Sequence, residues 1–191
     1  MDKPLSARDR LLHAAAALFY NDGIAATGID TITRRAGVAK QSLYNNFASK
    51  SDLIAAYVEA RHAEWLALHA RRHAAAAGPK ARILAVFDAY ADHAEDAYER
   101  GFRGCGLLNA AAELTADDPA RAAVRRHKEE VEAMLADALT DLIPDEDRRA
   151  RMADHLSYLL EGSITRAGLD GSSRRVHEAR AMAADMLGAI A

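Results

Sequence analysis

Residues 25–50 constrain the fold most, because this segment places two short apolar stripes on either side of a glycine. Before the glycine, Ile32 and Ala36 recur at the spacing of one helix face. Gly37 suits a sharp turn, and Leu43 follows at a position where a second short helix would return to the same apolar centre. Two short helices that share one core across a glycine turn predict a helix-turn-helix.

The first 50 residues repeat one helix-start signal three times. A hydroxyl residue is followed three positions later by an aspartate, which is an Asp version of the capping box. The hydroxyl accepts a hydrogen bond from an unpaired backbone N–H, and the carboxylate favours the positive end of the helix. The pairs are Ser6 with Asp9, Thr27 with Asp30, and Ser49 with Asp52. They predict the starts of the first, second and fourth helices.

Helical periodicity continues through the rest of the chain and predicts an all-α protein of nine helices. Half of the 191 residues are apolar and only 6% are aromatic, and 11 Gly and 4 Pro leave few breaks between helices. A single cysteine excludes an intrachain disulfide and is typical of a reducing compartment. The chain start lacks the apolar core of a signal peptide, and no apolar run approaches the roughly 20 residues of a membrane span. We therefore expect a cytoplasmic protein without a membrane partner.

The charge of the chain is distributed unevenly. Residues 1–50 hold seven Lys and Arg against four acidic residues, a net charge of +3. The remainder holds 18 basic and 24 acidic residues, a net charge of −6. A basic module joined to an acidic body is consistent with polyanion binding at one end, although ordinary surface variation is the alternative.

The expected third helix carries polar groups away from Leu43. Amide side chains such as Gln41 and Asn45 pair with adenine edges, and a tyrosine such as Tyr44 packs on a thymine methyl or binds a phosphate. Lys40 suits phosphates or guanine. A solvated polar helix face is the alternative interpretation, but the helix spacing and the local positive charge favour DNA.

At these residues the chain resembles the TetR (tetracycline-repressor) family. The family pattern is matched by Ala36-Gly37-Val38, Leu43-Tyr44, Asn45-Asn46-Phe47 and Ser49-Lys50-Ser51. About 45 residues match closely, and the nine-helix outline matches the whole chain more loosely. Gly28 is a departure, because the family often has a second Thr or Ser after Thr27. Glycine lacks the hydroxyl that would bind a phosphate, and Thr31 would have to compensate.

The resemblance implies a helix-turn-helix DNA-binding domain at residues 1–48 and a helical ligand-binding and dimerisation domain at residues 49–191. It implies a dimeric transcription regulator, most often a repressor that leaves a palindromic operator when a small-molecule inducer binds. No cofactor beyond that effector and no metal is expected. The expected DNA contacts are Thr27, Thr31, Lys40, Gln41, Ser42, Tyr44, Asn45, Asn46 and Lys50.

Residues 102–113 resemble a segment of one branch of the same family, where it forms a short helix beside the ligand cavity. The expected ligand-binding residues are Trp65, Phe87, Tyr90, Phe102, Cys105, Asn109, Glu113 and Tyr158. Ordinary core packing is the alternative for the aromatic residues. Glu113 lies in an Ala- and Leu-rich stretch and needs a partner, either a cationic ligand or an arginine in a plain salt bridge.

The last two long helices carry apolar stripes that suit an intermolecular four-helix bundle, although internal packing is the alternative. A dimer would place two reading helices about 34–36 Å apart in successive major grooves. The expected interface residues are Leu156, Leu160, Ile164, Met182, Met186 and Ile190.

Other classes of protein find less support in the sequence. No Ser-His-Asp order, nucleotide loop or cysteine cluster indicates an enzyme. His69 and His73 lack further metal ligands at suitable spacing, and the neighbouring arginines would repel a cation. Cys105 is expected to pack rather than to sense redox state. A helical DNA-binding or protein-interaction protein without an effector remains the alternative function.

Overall fold

Nine α-helices form the part of the chain that this computed structural model describes, residues 4–96 and 98–190, and no strand occurs among those residues. The prediction of an all-α, nine-helix fold is therefore confirmed. In chain order the helices are α1 Ala7–Asp22, α2 Ile29–Ala36, α3 Lys40–Asn46, α4 Lys50–Ala74, α5 Pro79–Ala94, α6 Gly106–Ala112, α7 Pro119–Leu139, α8 Glu146–Asp170 and α9 Arg174–Gly188.

Two of the three predicted helix starts form as expected. The Ser6 hydroxyl accepts a hydrogen bond from the Asp9 backbone N–H at 3.1 Å, and the Asp9 carboxylate accepts one from the Ser6 N–H at 3.3 Å. This reciprocal capping box precedes α1. At the start of α4, the Ser49 hydroxyl accepts a hydrogen bond from the Asp52 N–H at 3.1 Å.

The predicted cap at Thr27 is wrong. Gly28 is the N-cap of α2 and provides no side-chain hydrogen bond. Thr27 lies one residue earlier, is 1% exposed, and donates its hydroxyl to the Gly23 carbonyl at 2.6 Å. The Thr27 hydroxyl thus forms a hydrogen bond within the α1–α2 loop, and α2 begins without a side-chain cap.

The first compact unit contains the helix-turn-helix. It comprises the described residues up to Arg61 together with Gly106–Val124, so α6 and the start of α7 join the first three helices and the first half of α4. This unit is larger than the segment 1–48 expected for the DNA-binding domain. Its core includes Leu11, Ile32, Leu43 and Leu53, all fully buried.

Gly37 ends α2 with the φ of 63° that a left-handed turn requires. Glycine adopts this conformation without the steric cost that a Cβ atom would bring. The turn directs α3 back onto α1 and α2, which confirms the predicted helix-turn-helix.

The second compact unit comprises His62–Cys105 and the described residues from Arg125 onward. Within it, α5, α8 and α9 pack on one another. Arg180 on α9 donates two hydrogen bonds to Asp88 on α5, at 2.6 and 3.2 Å. Buried Ile83 and Leu135 are among the apolar residues of this core.

Three expected dimer residues lie in this same core. Leu156, Leu160 and Ile164 on α8 are 0% exposed within a single chain, so they present no surface to a partner. The interface prediction is wrong for these three, because the buried face of α8 has the same helical spacing as an interface would have.

No helix within residues 4–96 and 98–190 is both long enough and apolar enough to cross a membrane.

Candidate nucleic-acid interface and ligand-binding cluster

Helix α3 separates one buried face from one exposed face. Leu43 is its only buried residue and is fully enclosed by the first unit. The next residue, Tyr44, is 47% exposed, and Gln41, Asn45 and Asn46 are exposed as well. A seven-residue helix anchored by one leucine therefore presents an aromatic and amide surface to the solvent.

Short local contacts order the polar groups of this surface. The Gln41 amide donates to the Asn45 carbonyl oxygen at 3.1 Å, and the Asn46 amide donates to the Ser42 backbone carbonyl at 2.7 Å. The Lys40 ammonium pairs with the Asp30 carboxylate at 2.9 Å, and the hydrogen bond that it donates to this carboxylate raises the pKa of Lys40. All these contacts are solvent-exposed, so a phosphate or base edge can compete for the same groups.

Two arginines on α1 contact the helix-turn-helix, and neither contact was predicted from the sequence. The Arg8 guanidinium lies 5.1 Å from the centre of the Phe47 ring, immediately after α3. The Arg10 guanidinium donates to the Gly37 carbonyl at 3.3 Å, in the turn itself. Their charge was counted in the basic module, but no local spacing pattern reveals either contact.

The structure directs two of the expected DNA contacts into the protein. Both hydrogen-bond donors of Thr27 are engaged, because its hydroxyl donates to the Gly23 carbonyl and its N–H donates to the Ile24 carbonyl at 3.3 Å. The Lys50 ammonium donates to the same Ile24 carbonyl at 2.7 Å. Thr27 is therefore a loop-stabilising residue, whereas Thr31 on α2 and Lys40 at the start of α3 are exposed.

Glu113 belongs to the first unit and binds the α1–α2 loop. Its carboxylate accepts hydrogen bonds from the backbone N–H groups of Ile24, at 3.0 Å, and Ala25, at 2.7 Å. Gly23 has a φ of 91°, and an added Cβ there would lie 2.9 Å from this carboxylate. The expectation of a ligand or an arginine as the partner of Glu113 is wrong, since two backbone amides take that place.

A charged cluster lies inside the second unit. The Lys128 ammonium donates to Glu161 at 2.8 Å and to the Tyr90 hydroxyl at 3.1 Å, and it lies 3.6 Å from the Cys105 sulfur. Burial disfavours the charged ammonium, but Cys105, Tyr90 and Glu161 outweigh that effect and raise the pKa of Lys128. Burial raises the pKa of Tyr90, so its phenol stays protonated at neutral pH.

Aromatic rings adjoin this cluster. The Trp65 ring centre lies 5.3 Å from the centres of both Tyr90 and His127. The His127 Nδ1 atom lies 2.8 Å from the His62 Nδ1 atom, so one of these two nitrogens donates to the other. Burial, with a smaller effect from Lys128, lowers the pKa of His127 to about 3, and its ring is neutral at pH 7.

The remaining residues expected to bind a ligand differ in how far they are buried. Phe87 and Phe102 are buried in the second unit, and Asn109 is half-buried on α6 in the first unit. Tyr158 is 68% exposed on α8 and is not among the buried aromatic residues of the second unit. Sequence interpretation also missed Lys128 and Glu161, because charged residues on amphipathic helices usually face solvent.

Two surface grooves of the second unit involve other residues. One, of about 290 Å³, is lined by His69, His73 and Arg82 among others. The second, of about 280 Å³, is lined by Glu64, Arg71, Asp92, Asp96 and neighbours. Among the residues that the structure describes, no group of three or more His, Cys, Asp or Glu side chains is arranged to hold a metal ion.

Large apolar side chains are exposed on α8 and α9. Besides Tyr158, Leu169 is 80% exposed and Met182 is 57% exposed, and Met186 and Ile190 are partly exposed. These residues can contribute to an interface that the three buried α8 residues cannot form. Exposed apolar groups of this size on neighbouring helices are typical of protein–protein contacts.

The chain is similar to known regulators in both sequence and structure. Residues 11–57 match the family model described as bacterial regulatory proteins, tetR family, and residues 79–183 match that of the tetracyclin repressor-like C-terminal domain. The structure aligns with SCO4454, a TetR-family transcriptional regulator from Streptomyces coelicolor, with a TM-score of 0.84 and 28% identity, over 95% of this chain and 93% of that one.

Two regulators from Mycolicibacterium smegmatis match shorter segments. The transcriptional activator FasR is 36% identical over 89 residues, which is 46% of this chain and 40% of FasR. The transcriptional repressor KstR2 is 40% identical over 52 residues, 27% of this chain and 25% of KstR2. The two family matches together span most of the protein, and the chain belongs to the TetR family of DNA-binding transcriptional regulators.

Proposed function

We propose that the protein is a dimeric repressor that binds a palindromic operator through α3 and is released by a small-molecule inducer. The observation that carries the proposal is the exposed face of α3, on which Tyr44 stands between amide side chains. These groups are exposed to solvent, and the hydrogen bonds of the amides are local ones within α3 that a DNA contact can replace.

The DNA contacts follow from the chemistry of that face. We assign base contacts to Gln41, Tyr44 and Asn45, because amides pair with adenine edges and a tyrosine ring packs on the thymine methyl. Lys40 and Thr31, beside the start of α3, suit phosphate oxygens. Ser42, Asn46 and Lys50 remain in the proposed contact set. The Asn46 and Lys50 side chains donate to backbone carbonyls, and DNA binding would have to exchange or supplement these hydrogen bonds.

A second copy of the chain is required by the operator geometry. Two α3 helices read successive major grooves only when they are about 34–36 Å apart, which one chain cannot achieve with one such helix. We assign the dimer contact to the exposed apolar residues Tyr158, Leu169 and Met182. Met182→Glu should convert the dimer to a monomer in analytical ultracentrifugation, and an unchanged sedimentation coefficient would remove this face from the interface.

The inducer is assigned to the second unit, where buried aromatic and charged groups adjoin one another. A bound molecule shifts the DNA-binding equilibrium only if its affinities for the two arrangements of the dimer differ. Activation is the second candidate function, because the 36% identical relative is named an activator. A reporter gene under the promoter upstream of the coding region separates the two, since deletion of a repressor raises its expression.

Tyr44→Ala tests the proposed reading surface. We expect at least a tenfold loss of affinity for the operator duplex in fluorescence anisotropy at fixed salt, because ring packing and the phenol contact disappear together. Tyr44→Phe, which retains the ring, should lose less. Leu5→Ala removes another exposed apolar side chain of the same unit and should leave the affinity unchanged. Equal affinities for the Tyr44→Ala variant and wild type would contradict the assignment.

A further inference from the structure

The charged cluster of the second unit, formed by Lys128, Glu161, Tyr90 and Cys105, has no net charge. Lys128 directs its ammonium to one carboxylate oxygen of Glu161, to the Tyr90 hydroxyl and to the Cys105 sulfur. An ammonium has three N–H donors, and these three neighbours account for them. Lysine and glutamate thereby cancel each other's charge, at side-chain exposures of 18% and 27%.

One polar atom of this pair and one of the adjoining Trp65, whose ring contacts Tyr90, have no hydrogen-bond partner among the described residues. The second carboxylate oxygen of Glu161, Oε2, is buried and accepts no hydrogen bond. The indole Nε1 of Trp65, a residue that is 3% exposed, is also buried and donates no hydrogen bond. Buried polar atoms are nearly always paired in proteins, so one orphaned acceptor and one orphaned donor in the same unit require an explanation.

A bound molecule would satisfy both atoms if it carried a donor for Glu161 and an acceptor for Trp65. A hydroxyl or a primary amide contains both functions. The rings of Trp65, Tyr90 and His127 would pack against the apolar part of such a molecule. A charged molecule is disfavoured, because the lysine–glutamate pair is already neutral and would leave the added charge uncompensated.

We propose that Trp65, Tyr90, Lys128 and Glu161 bind an uncharged small molecule that carries a hydroxyl or amide group next to an aromatic ring. The inference rests on the proposed function in one respect only, which is that this molecule is the inducer. The binding preference itself is a property of the second unit and can be measured without DNA.

Three probes that share a phenyl ring and differ in their polar group test the preference, since a hydroxyl both donates and accepts, an ammonium only donates and a carboxylate only accepts. They are 2-phenylethanol, 2-phenylethylammonium and phenylacetate, titrated into the full-length protein at pH 7 by isothermal calorimetry. We expect wild type to bind the alcohol at least tenfold more tightly than either ion. Absence of alcohol binding, or equal or tighter binding of an ion, would overturn the proposal.

Glu161→Gln gives a change that a purely structural role would not produce. It removes the negative charge that balances Lys128, so phenylacetate should gain at least tenfold relative to 2-phenylethanol. The matched control is Glu129→Gln, the same substitution at an exposed residue of α7, which should keep the wild-type ranking. Retention of that ranking by Glu161→Gln would overturn the assignment of the charged pair.

Trp65→Phe keeps an aromatic ring and removes the unpaired N–H. It should weaken binding of 2-phenylethanol about tenfold and leave binding of 2-phenylethylammonium unchanged, because an ammonium has no acceptor for the indole N–H. Unaltered affinity would remove Trp65 from the site. Operator binding is measured in parallel with each probe: failure of the alcohol to release DNA, with the binding preference intact, counts against the proposed induction and not against the ligand class.

Discussion

The two compact units use their polar side chains in opposite ways. In the first unit, Lys40 on α3 and Asp30 on α2 form an ion pair whose side chains are 56% and 71% exposed. In the second unit, Lys128 and Glu161 are 18% and 27% exposed and lie among buried rings. Exposed ion pairs contribute little to stability and are readily exchanged, whereas enclosed charges are stable only together. The first arrangement suits a polyanion, and the second suits selection of a small molecule.

Lys128→Met should produce the largest loss of stability. It leaves the Glu161 carboxylate enclosed without its counterion, and we expect the free energy of unfolding to fall by about 3 kcal/mol in urea denaturation. The double variant Lys128→Met/Glu161→Met removes both charges and should recover much of that loss. If the Lys128→Met variant is as stable as wild type, the enclosed Lys128–Glu161 pair does not differ from the exposed Lys40–Asp30 pair in the way proposed.

Acid should destabilise the second unit through His127. Its pKa in the folded protein is about 3, below the ordinary 6.5, so the unfolded chain binds the proton first. Stability is therefore fully present above pH 6.5 and is lost as the pH falls towards 3, by about 2 kcal/mol at pH 5.

Denaturation of wild type and His127→Gln at pH 7 and pH 5 measures this contribution. The variant should lose distinctly less stability between the two values than wild type does. His13→Gln, at an exposed position of α1 in the first unit, is the control and should match the wild-type pH dependence. Identical pH dependence in wild type and His127→Gln would contradict the role of the buried ring.

Glu113→Gln should have an intermediate effect that is confined to the first unit. The amide retains one acceptor oxygen for two backbone N–H groups, so we expect a loss of about 1 kcal/mol. Amide hydrogen exchange should accelerate at Ile24 and Ala25. Glu59→Gln, exposed on α4, is the matched control. Unchanged protection of both amides would show that the carboxylate does not hold the loop.

Lys40→Met should have the smallest effect on stability, because its ion pair with Asp30 is exposed. Its effect on DNA binding should be visible in the salt dependence, where loss of one phosphate contact lowers the slope of log affinity against log salt by about one. A destabilisation as large as that of Lys128→Met would remove the distinction between the two units.

Local patterns in the sequence were sufficient to predict much of the fold. The nine helices, the glycine turn and the capping box at Ser6 each depend on residues a few positions apart. The cap at Thr27 was predicted wrongly because the same short pattern also permits a hydroxyl that turns inward to Gly23. Glu113 was misassigned because its partners, Ile24 and Ala25, lie 89 and 88 residues away in the chain.

The candidate ligand cluster was only partly predictable. Trp65, Tyr90 and Cys105 were expected there, but Lys128 and Glu161 were missed because they come from α7 and α8, whose charged residues normally face water. Helical spacing likewise does not distinguish an internal face from an interface. Leu160 is therefore buried within the chain, whereas Met182, predicted for the same interface, is 57% exposed.

The most direct test of the central claim is a footprint of the purified protein on duplex DNA from upstream of its own coding region. We predict two protected half-sites of related inverted sequence, centred about 10 base pairs or a multiple apart, because two copies of α3 enter successive major grooves. The Tyr44→Ala variant should give much weaker protection at the same protein concentration. Absence of protection by wild type, or equal protection by Tyr44→Ala, would contradict the assignment of α3 as the DNA-reading helix.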